Sequence, residues 1–262
     1  MFSRTLARIT AAVPSSVKYP LAGWRPLYKF FLRLGESIVT IHTQSGVLHW
    51  CLDDLTSQEI LLGNYEMYMQ RAFKRFILPG FTIYDVGAHA GFHSLVCGLM
   101  VGRSGRVIAF EPNPKSCNSI RLQLTANPEL PVTLYSCAVS DRCAQLKLNT
   151  LRGNCQGTVG SEGNLSIEAC TIDSLVDRGV LRYPDLIKID VEGHEEEVLR
   201  GAQMVLNKHK PIILCDLNDN STLKKVTSVL ETQGYAVTSG PPITAVHGDI
   251  SSSRGMRQKL RP

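Results

Sequence analysis

Residues 83–93 combine acidic, glycine and histidine residues at a spacing that suits the binding of a small charged ligand. Asp85 lies in a short run of β-forming residues, Gly87 and Gly91 follow it, and apolar residues at helical spacing come next. A strand that passes through a glycine turn into a helix offers the free N–H groups of the helix N-terminus, and glycine lets a ligand lie against the backbone. We therefore predict a ligand-binding strand–turn–helix junction here.

A second carboxylate follows one strand later. Glu111 closes the predicted strand 106–110, so it and Asp85 stand at the ends of adjacent strands. One carboxylate can accept from ribose hydroxyls while the other faces a cationic group, and S-adenosylmethionine has both features. The spacing from Gly87 to Gly91 is not that of a dinucleotide site, and the sequence holds no P-loop, which disfavours a pyrophosphate ligand. The structural alternative is a helix cap for Asp85 and a turn residue for Glu111.

A third group of polar residues follows the predicted strand 186–189. Ligands of open α/β sheets bind beyond the carboxyl ends of the strands, so Asp190, Glu192 and His194 are expected beside the glycine turn as candidate catalytic bases. Two carboxylates next to a histidine also suit Mg²⁺, which takes oxygen ligands and waters. Each residue has a structural alternative as a turn cap, a helix-terminal charge or a solvated side chain.

The elements that must position these residues alternate between strand and helix from residue 82 onward, which predicts a doubly wound, mostly parallel α/β sheet. Predicted strands lie at 82–86, 106–110, 132–136, 186–189, 212–217 and 235–238, and predicted helices at 91–101, 114–126, 172–178, 195–207 and 222–233. Two further strands, 144–148 and 166–170, flank a glycine-bearing loop at 151–163. Loops of that length in compact domains are usually functional or mobile.

Length and charge distribution set the domain organisation. The 262 residues are 44% hydrophobic, which suits one α/β domain at 80–246 after an extension at 1–79 and before a basic, disordered tail at 247–262. The net charge is +5, but six basic residues lie in 1–35 and four in 251–262, and the remainder carries 18 Lys and Arg against 23 Asp and Glu. The catalytic body is therefore not expected to bind a polyanion.

The N-terminal extension is predicted to contain a hairpin, from strands at 37–43 and 47–52, and a helix at 57–77 that breaks near Gly63. It could supply a lid or a wall of a substrate site, with packing onto the domain as the simpler role. The basic, aromatic segment 21–34 would permit peripheral contact with a membrane surface, although a packed helix is favoured, and the acid-free start also fits a transit peptide. No apolar run is long enough to span a membrane.

Metal-binding patterns are weak in the sequence. The eight cysteines form no C-x-x-C pair, and His89 and His93, one helical turn apart, lack the glutamate of the zinc-peptidase motif. We expect free thiols in a reducing cytosol, hence a cytoplasmic protein without a cysteine zinc site, and a packing role for His93.

Four motifs together resemble the FkbM-type methyltransferases over roughly residues 80–240. They are Asp85-Val86-Gly87-Ala88-x-x-Gly91, Phe110-Glu111-Pro112-Asn113-Pro114, Ala138-Val139-Ser140-Asp141 and Lys188-Ile189-Asp190-Val191-Glu192-Gly193-His194-Glu195. The combination is much more specific than any single motif. The resemblance implies a class I, Rossmann-like fold, with a seven-stranded sheet that contains one antiparallel strand. It also implies S-adenosylmethionine-dependent methylation of a hydroxyl on a sugar, polyketide or other product.

The same resemblance implies a set of cofactor-binding residues: Asp85, Gly87, Ala88, His89, Gly91, Glu111, Asn113 and Asp141. Within this set, Asp85, Gly87 and Gly91 would line the methionine part of the cofactor. Glu111 would bind the ribose and Asp141 would lie by the adenine. His89 stands at a position where the family often has Asn.

We therefore expect a methyltransferase that uses S-adenosylmethionine, with Mg²⁺ as a candidate second cofactor, to methylate a glycan or small-molecule hydroxyl. A nicotinamide or flavin oxidoreductase is an alternative, since Glu111 lies 24 residues after Gly87, but it needs a pyrophosphate site that the sequence lacks. An RNA-binding or RNA-methylating protein is a second alternative because of the basic termini. The sequence has neither the Asp/Asn-Pro-Pro-aromatic box nor the Pro-Cys pair of base methylases, which disfavours nucleic acid. Acceptor specificity is assigned to residues 37–77 and 150–165, which show no recognisable chemistry.

Overall fold

The described residues form a mostly parallel β-sheet with helices on both faces, preceded by a β-hairpin. The computed structural model describes residues 38–150, 158–160, 163–217 and 219–248. Its strands are β1 (Ile38–Thr43), β2 (Gly46–Cys51), β3 (Thr82–Val86), β4 (Arg106–Phe110), β5 (Val132–Tyr135), β6 (Ala138–Val139), β7 (Ala144–Asn149), β8 (Thr158–Gly160), β9 (Leu165–Cys170), β10 (Leu186–Ile189), β11 (Ile212–Cys215), β12 (Tyr235–Thr238) and β13 (Ile243–His247). Its helices are α1 (Gln58–Leu61), α2 (Met67–Phe76), α3 (Phe92–Val101), α4 (Pro114–Ala126), α5 (Ile172–Asp177), α6 (Glu195–Arg200), α7 (Gln203–Lys208) and α8 (Asn220–Thr232).

The central sheet has seven strands in the order β12-β13-β11-β10-β3-β4-β5. Strands β5, β4, β3, β10 and β11 pair in parallel, and β13 pairs antiparallel with both β11 and β12. This confirms the predicted doubly wound sheet with one antiparallel strand. The sequence analysis had assigned no strand to residues 243–247. The short connection after β12 enforces their direction, since a parallel return needs a dozen or more residues.

Side chains alternate between the two faces of the central strands, and each face is covered by its own apolar cluster. On one face Ile83 and Leu186 pack with Trp50 of the hairpin and with α2 and α3, while on the other Tyr84 and Ile187 pack with α6, α7 and α8. Strands β10 and β11 are buried along their whole length, as expected for parallel strands covered on both sides. The sheet is thus a rigid base for residues at the ends of its strands.

Two predicted helices are each interrupted. The helix expected at 57–77 is divided into α1 and α2 around Gly63, as predicted. The helix expected at 195–207 is instead two short helices, α6 and α7, that meet at Gly201. A Cβ at Gly201 would lie 2.0 Å from the carbonyl oxygen of Ser140, so this close contact with the loop after β6 accompanies the break.

The insertion between β5 and α5 contributes a second, four-stranded sheet in the order β6-β9-β7-β8. The predicted strands at 144–148 and 166–170 correspond to β7 and β9, which pair antiparallel. Much of the loop predicted between them, residues 151–157 and 161–162, lies outside the described residues. The small sheet places Leu148 and Val159 toward the central sheet's strand ends.

The termini that carried several predictions are outside the described range. The basic segment at 1–37 and residues 249–262 are among the residues that are not described, so the predicted membrane contact and disordered tail stay predictions. The domain's last strand, β13, reaches His247, one residue beyond the predicted boundary. No helix within the described ranges combines the length and apolar character needed to cross a bilayer. The seven cysteines in those ranges are free thiols.

Amide side chains of α4 dock the N-terminal hairpin onto the domain. Gln123 is fully buried and pairs with both backbone groups of Cys51, accepting from its N–H at 2.8 Å and donating to its C=O at 2.9 Å. Asn127, one turn later, pairs with His49 in the same way. These two side chains therefore pair with the backbone of β2 as an adjacent strand would, and they set the position of the extension above the sheet.

Replacement of Gln123 by alanine is expected to lower the free energy of unfolding by about 1–3 kcal/mol, because two buried backbone groups of Cys51 would lose their partners. Urea unfolding followed through tryptophan fluorescence measures the change. Gln203, which is exposed at the start of α7, gives the matched control, and Gln203→Ala should stay within about 0.5 kcal/mol of the parent protein. Equal effects of the two substitutions would contradict the docking role.

Candidate functional site

A cleft of about 970 Å³ opens at the carboxyl ends of the parallel strands. Four of its residues directly follow a strand: Gly87 after β3, Glu111 after β4, Asp190 after β10 and Asp216 after β11. The backbone N–H of each continues the ladder by donating to the neighbouring strand, at 2.9–3.1 Å. The sheet therefore fixes the positions of three carboxylates and a glycine turn around one space.

The opposite wall of the cleft comes from the N-terminal extension. Residues from its two connecting segments and from the start of α2 line the space: Asp54, Leu55, Thr56, Ser57, Tyr65, Glu66 and Tyr68. Tyr68 ties this wall to the sheet, because its hydroxyl donates to Asp216 Oδ2 at 2.5 Å. The prediction that the extension supplies part of the site wall agrees with this arrangement.

A buried ammonium group organises the floor beneath the cleft. Lys188 on β10 and Asp85 on β3 are partners in the sheet register, and Lys188 Nζ lies 3.1 Å from Asp85 Oδ1. The same nitrogen lies 3.3 Å from Asp190 Oδ2 and donates to the carbonyl oxygen of Gly87 at 2.9 Å. Lys188 and Asp85 are 2% and 1% exposed, so this is an ion pair of the protein interior.

The carboxylates hold Lys188 in its charged form. Burial alone lowers the pKa of a lysine, but Asp85, Asp190 and Glu66 raise the pKa of Lys188 above its ordinary value. Asp85 is also bonded by Ser94 of α3, whose hydroxyl donates to Oδ2 at 2.5 Å. The cluster therefore links β3, β10, the glycine turn and α3 through charged hydrogen bonds.

The glycine turn is shaped by its contact with the end of β10. Gly87 has a φ of +80°, and a Cβ there would lie 1.8 Å from the carbonyl oxygen of Asp190. No residue with a side chain fits this position without displacing the backbone. His89 follows with a φ of +49°, and its Nε2 is buried without a hydrogen-bond partner. Burial and nearby Lys188 lower the pKa of His89, so the imidazole is neutral at pH 7.

Glu111 is held by backbone donors at the edge of the cleft. Its Oε2 accepts from the N–H of His89 and its Oε1 from the N–H of Asn113, both at 2.8 Å. Burial raises the pKa of Glu111 to about 7, and the two backbone hydrogen bonds oppose that shift. Each carboxylate oxygen retains a second lone pair, so Glu111 can still accept from hydroxyls of a ligand.

The turn after β10 is stabilised by Glu195, the first residue of α6. Its Oε1 accepts from the N–H groups of Val191 and Gly193, at 3.3 and 3.1 Å. The sequence analysis gave Glu195 no such role. Glu192 has a φ of +55° in this turn and lines the cleft. His194 also lines it, and His194 Nε2 is hydrogen-bonded to Ser140 Oγ at 2.9 Å.

The predicted site residues divide into two groups. Those that line the cleft are Gly87, His89, Glu111, Asn113, Asp190, Glu192 and His194. Those that do not are Asp85, Ala88, Gly91 and Asp141. Asp85 lies beneath the floor, where it pairs with Lys188, and its contact with the methionine part of a ligand stays a prediction. Asp141 pairs with Arg142 and accepts from Ser140, and its contact with the adenine of a ligand stays a prediction.

The predicted magnesium ligands Asp190, Glu192 and His194 do not converge. Within the described part of the chain, the one group of three potential ligand side chains whose atoms lie within 4.8 Å of one another is Glu66, Asp190 and Asp216. The sequence analysis missed Glu66 and Asp216. Asp216 had been included in the predicted strand 212–217, which extends two residues beyond the end of β11. No sequence signal identified Glu66, because it lies in a loop of the extension.

We assign no metal to these three carboxylates. The Lys188 ammonium already pairs with Asp190, and the Tyr68 hydroxyl already occupies Asp216 Oδ2. Mg²⁺ takes near-octahedral oxygen ligands and would have to approach a fixed positive charge about 3–4 Å from one of them, which is unfavourable.

The lining does fit S-adenosylmethionine. Phe110, Val139 and Leu148 give an apolar wall near Glu111, which suits an adenine ring whose ribose hydroxyls meet a carboxylate. Asp190 and Asp216 add negative charge at the other side of the cleft, which suits a cationic sulfonium group.

The sequence of this chain matches a known protein family. Residues 85–237, more than half of the chain, match the model of the methyltransferase FkbM domain. The chain belongs to the FkbM methyltransferase domain family. The matched span contains the glycine turn, Glu111 and Asp190, and it excludes the whole N-terminal extension.

The individual proteins that are similar to this chain share at most 30% sequence identity with it among the three described next. The hexuronic acid methyltransferase AglP of Haloferax volcanii is 30% identical over 150 residues, which are 57% of this chain and 61% of that protein. Among solved structures, FkbM from Methylobacillus flagellatus KT has a TM-score of 0.49 and 14% identity, covering 87% of this chain and 60% of that one. A precorrin-6y C5,15-methyltransferase from Geobacter metallireducens GS-15 has a TM-score of 0.49 and 18% identity, covering 75% and 92%. Both TM-scores are too low to add to the assignment.

Replacement of Lys188 by methionine is expected to lower the free energy of unfolding by about 3–5 kcal/mol, because Asp85 would stay buried without its counter-charge. The double variant Lys188→Met/Asp85→Asn removes both charges and should recover part of that loss. Urea unfolding of both variants and the parent protein measures the difference. A double variant no more stable than the single one would contradict the role of the ion pair.

Proposed function

We propose that this protein is an S-adenosylmethionine-dependent methyltransferase that methylates a hydroxyl group of a sugar or glycan. The observation that carries the proposal is Glu111, a carboxylate fixed by two backbone N–H groups at the edge of a strand-end cleft in a chain of the FkbM family. The oxidoreductase and RNA alternatives have no comparable support, since the family match is to a methyltransferase domain.

Different cleft residues would contact different parts of the cofactor in such a reaction. S-adenosylmethionine, when bound, supplies a methyl group activated by a positively charged sulfur. Glu111 would accept hydrogen bonds from its ribose, and Phe110 and Val139 would exclude water from its base. Asp190, held by Lys188, would face the cationic end. Alignment of donor and acceptor is the main contribution expected of the protein, worth on the order of 7–11 kcal/mol at best.

The proton of the acceptor hydroxyl must also be removed. An alcohol does not ionise by itself at neutral pH, so a side chain in the cleft has to take the proton, for a gain of about 10²–10⁴ in rate. The cleft offers carboxylates from both walls for this step: Glu66, Asp190, Glu192 and Asp216. Hydroxyl methylation therefore matches the acidic character of the site.

The charge of the cleft also bears on the acceptor. AglP is named for hexuronic acid, a sugar that offers both hydroxyls and a carboxylate. Among the described residues that line the cleft, Lys115 is the one lysine or arginine, and it lies 3.4 Å from Asp54 at the rim. Because cleft carboxylates repel an acceptor carboxylate, the proposal places methyl transfer on a hydroxyl.

Isothermal titration calorimetry tests the cofactor assignment. S-adenosylmethionine and S-adenosylhomocysteine should bind the parent protein, and NADH should not. Glu111→Gln should weaken both by about 10–100-fold, because it loses a charged acceptor worth about 1.5–3 kcal/mol. Glu129→Gln, at an exposed glutamate that does not line the cleft, is the matched control and should bind as the parent does. Parental affinity in Glu111→Gln, or NADH binding, would contradict the assignment.

Transfer of a radiolabelled methyl group tests the acceptor. Oligosaccharides that contain glucuronic acid, and matched ones that contain glucose, should yield a methyl ether that survives mild alkaline hydrolysis. A methyl ester would be cleaved under the same conditions. Label that is lost in mild base would show transfer to a carboxylate and contradict hydroxyl methylation.

A further inference from the structure

Glu66 lies in the connection between α1 and α2, outside the span that matches the family model. It is the N-cap residue of α2, but its side chain makes no capping hydrogen bond. Its φ is +43°, in the left-handed region that a residue with a side chain rarely adopts. The strained backbone directs the carboxylate into the cleft instead of onto the helix end.

Polar groups surround Glu66 from every element that packs against it. The extension contributes Tyr65 and Tyr68, α3 contributes His93, and the strand ends contribute Lys188, Asp190 and Asp216. His93 Nε2 lies 3.6 Å from Glu66 Oε2, too far for a hydrogen bond. Burial lowers the pKa of His93 to about 3, so this histidine is neutral and does not neutralise Glu66.

Glu66 differs in its contacts from three other cleft carboxylates. Asp190 is paired with Lys188, Asp216 Oδ2 accepts from Tyr68, and both oxygens of Glu111 accept from backbone N–H groups. In Glu66, by contrast, Oε2 has no hydrogen-bond partner, and the hydrogen bond of the side chain is with the uncharged hydroxyl of Tyr65. Lys188 already pairs with Asp190, and Glu111 is assigned to the cofactor ribose, so Glu66 is the carboxylate best placed to accept the proton of a second substrate.

We propose that Glu66 is the catalytic base of the methyl transfer, an assignment that rests on the proposed function. The acceptor hydroxyl gives its proton to the carboxylate of Glu66 as its oxygen forms the new bond to the methyl carbon. The bond from that carbon to sulfur breaks, and its electron pair stays on sulfur, which becomes a neutral sulfide. Glu66 leaves the step as a carboxylic acid and returns its proton to water.

The local electrostatics agree with this role. Burial raises the pKa of Glu66 to about 7, Asp190 and Asp216 raise it further, and Lys188 opposes the shift. A base whose pKa is close to the working pH combines a useful ionised fraction with sufficient basicity. The N-terminal extension thereby contributes a chemical group as well as a wall.

Glu66→Gln keeps the size of the side chain and removes the base. Glu59→Gln is the matched control, because Glu59 is an exposed glutamate of the same extension and does not line the cleft. Calorimetry should give both variants an affinity for S-adenosylmethionine within about threefold of the parent. Methyl transfer to the glucuronic acid and glucose oligosaccharides should fall about 10²–10⁴-fold in Glu66→Gln alone. In the parent protein kcat/KM should rise with pH near pH 7, and this rise should be absent in Glu66→Gln.

Two measurements report on Glu66 without turnover. Infrared difference spectra of the parent minus Glu66→Gln should show a carboxylic acid band that disappears as the pH passes about 7. Because the folded pKa exceeds the ordinary value of 4.5, the folded state binds this proton more tightly than the unfolded state does. The melting temperature of the parent should therefore fall relative to that of Glu66→Gln as the pH rises from 4.5 to about 7.

The outcomes separate this assignment from the proposed function. Failure of the parent protein to bind S-adenosylmethionine would overturn the proposed function, and this assignment with it. Intact binding with full turnover in Glu66→Gln would overturn the assignment alone. Absence of the carboxylic acid band between pH 4.5 and 7 would also overturn it, whether or not an acceptor has been found.

Discussion

The ammonium group of Lys188 is the interaction on which the geometry of the cleft depends. It lies within 3.3 Å of the carboxylates of Asp85 and Asp190 and bonds the carbonyl oxygen of Gly87, so it joins two adjacent strands to the glycine turn. A buried charge of this kind is costly unless all its partners are in place, which makes the arrangement sensitive to any change of register. The positions of Gly87 and Asp190 follow from it.

The same ion pair limits what the neighbouring carboxylates can do. Asp190 shares the single positive charge of Lys188 with Asp85, so the three groups together keep a formal charge of −1 that can attract a cation. Glu66, on the opposite wall, has no fixed counter-charge within hydrogen-bonding distance. Two carboxylates of one cleft thus have different environments and, in our account, different functions. The wall that carries Glu66 is held against the sheet by Tyr68 and by the Gln123 contacts with the hairpin.

Much of the fold could be predicted from the sequence because its strands and helices have strong periodic patterns. The glycine turn, Glu111 and Asp190 were predicted for the same reason, since residues that end parallel strands must meet at one edge. Which charged side chains pair with one another could not be predicted. Nothing in the sequence of residues 186–189 indicates that Lys188 pairs with Asp85 beneath the cleft. Glu66 was missed because its role depends on how a loop 19 residues before Asp85 folds back over the sheet. The role of Asp141 is implied by the resemblance alone, and in the structure its side chain pairs with Arg142 at the surface.

A crystal structure of the protein with S-adenosylhomocysteine would test the central claim most directly, because it shows which residues meet each part of the ligand. Our account predicts that the ribose hydroxyls bond Glu111, and that the sulfur faces a space bordered by Asp190 and Glu66. A ligand bound elsewhere, or one whose ribose makes no contact with Glu111, would contradict it.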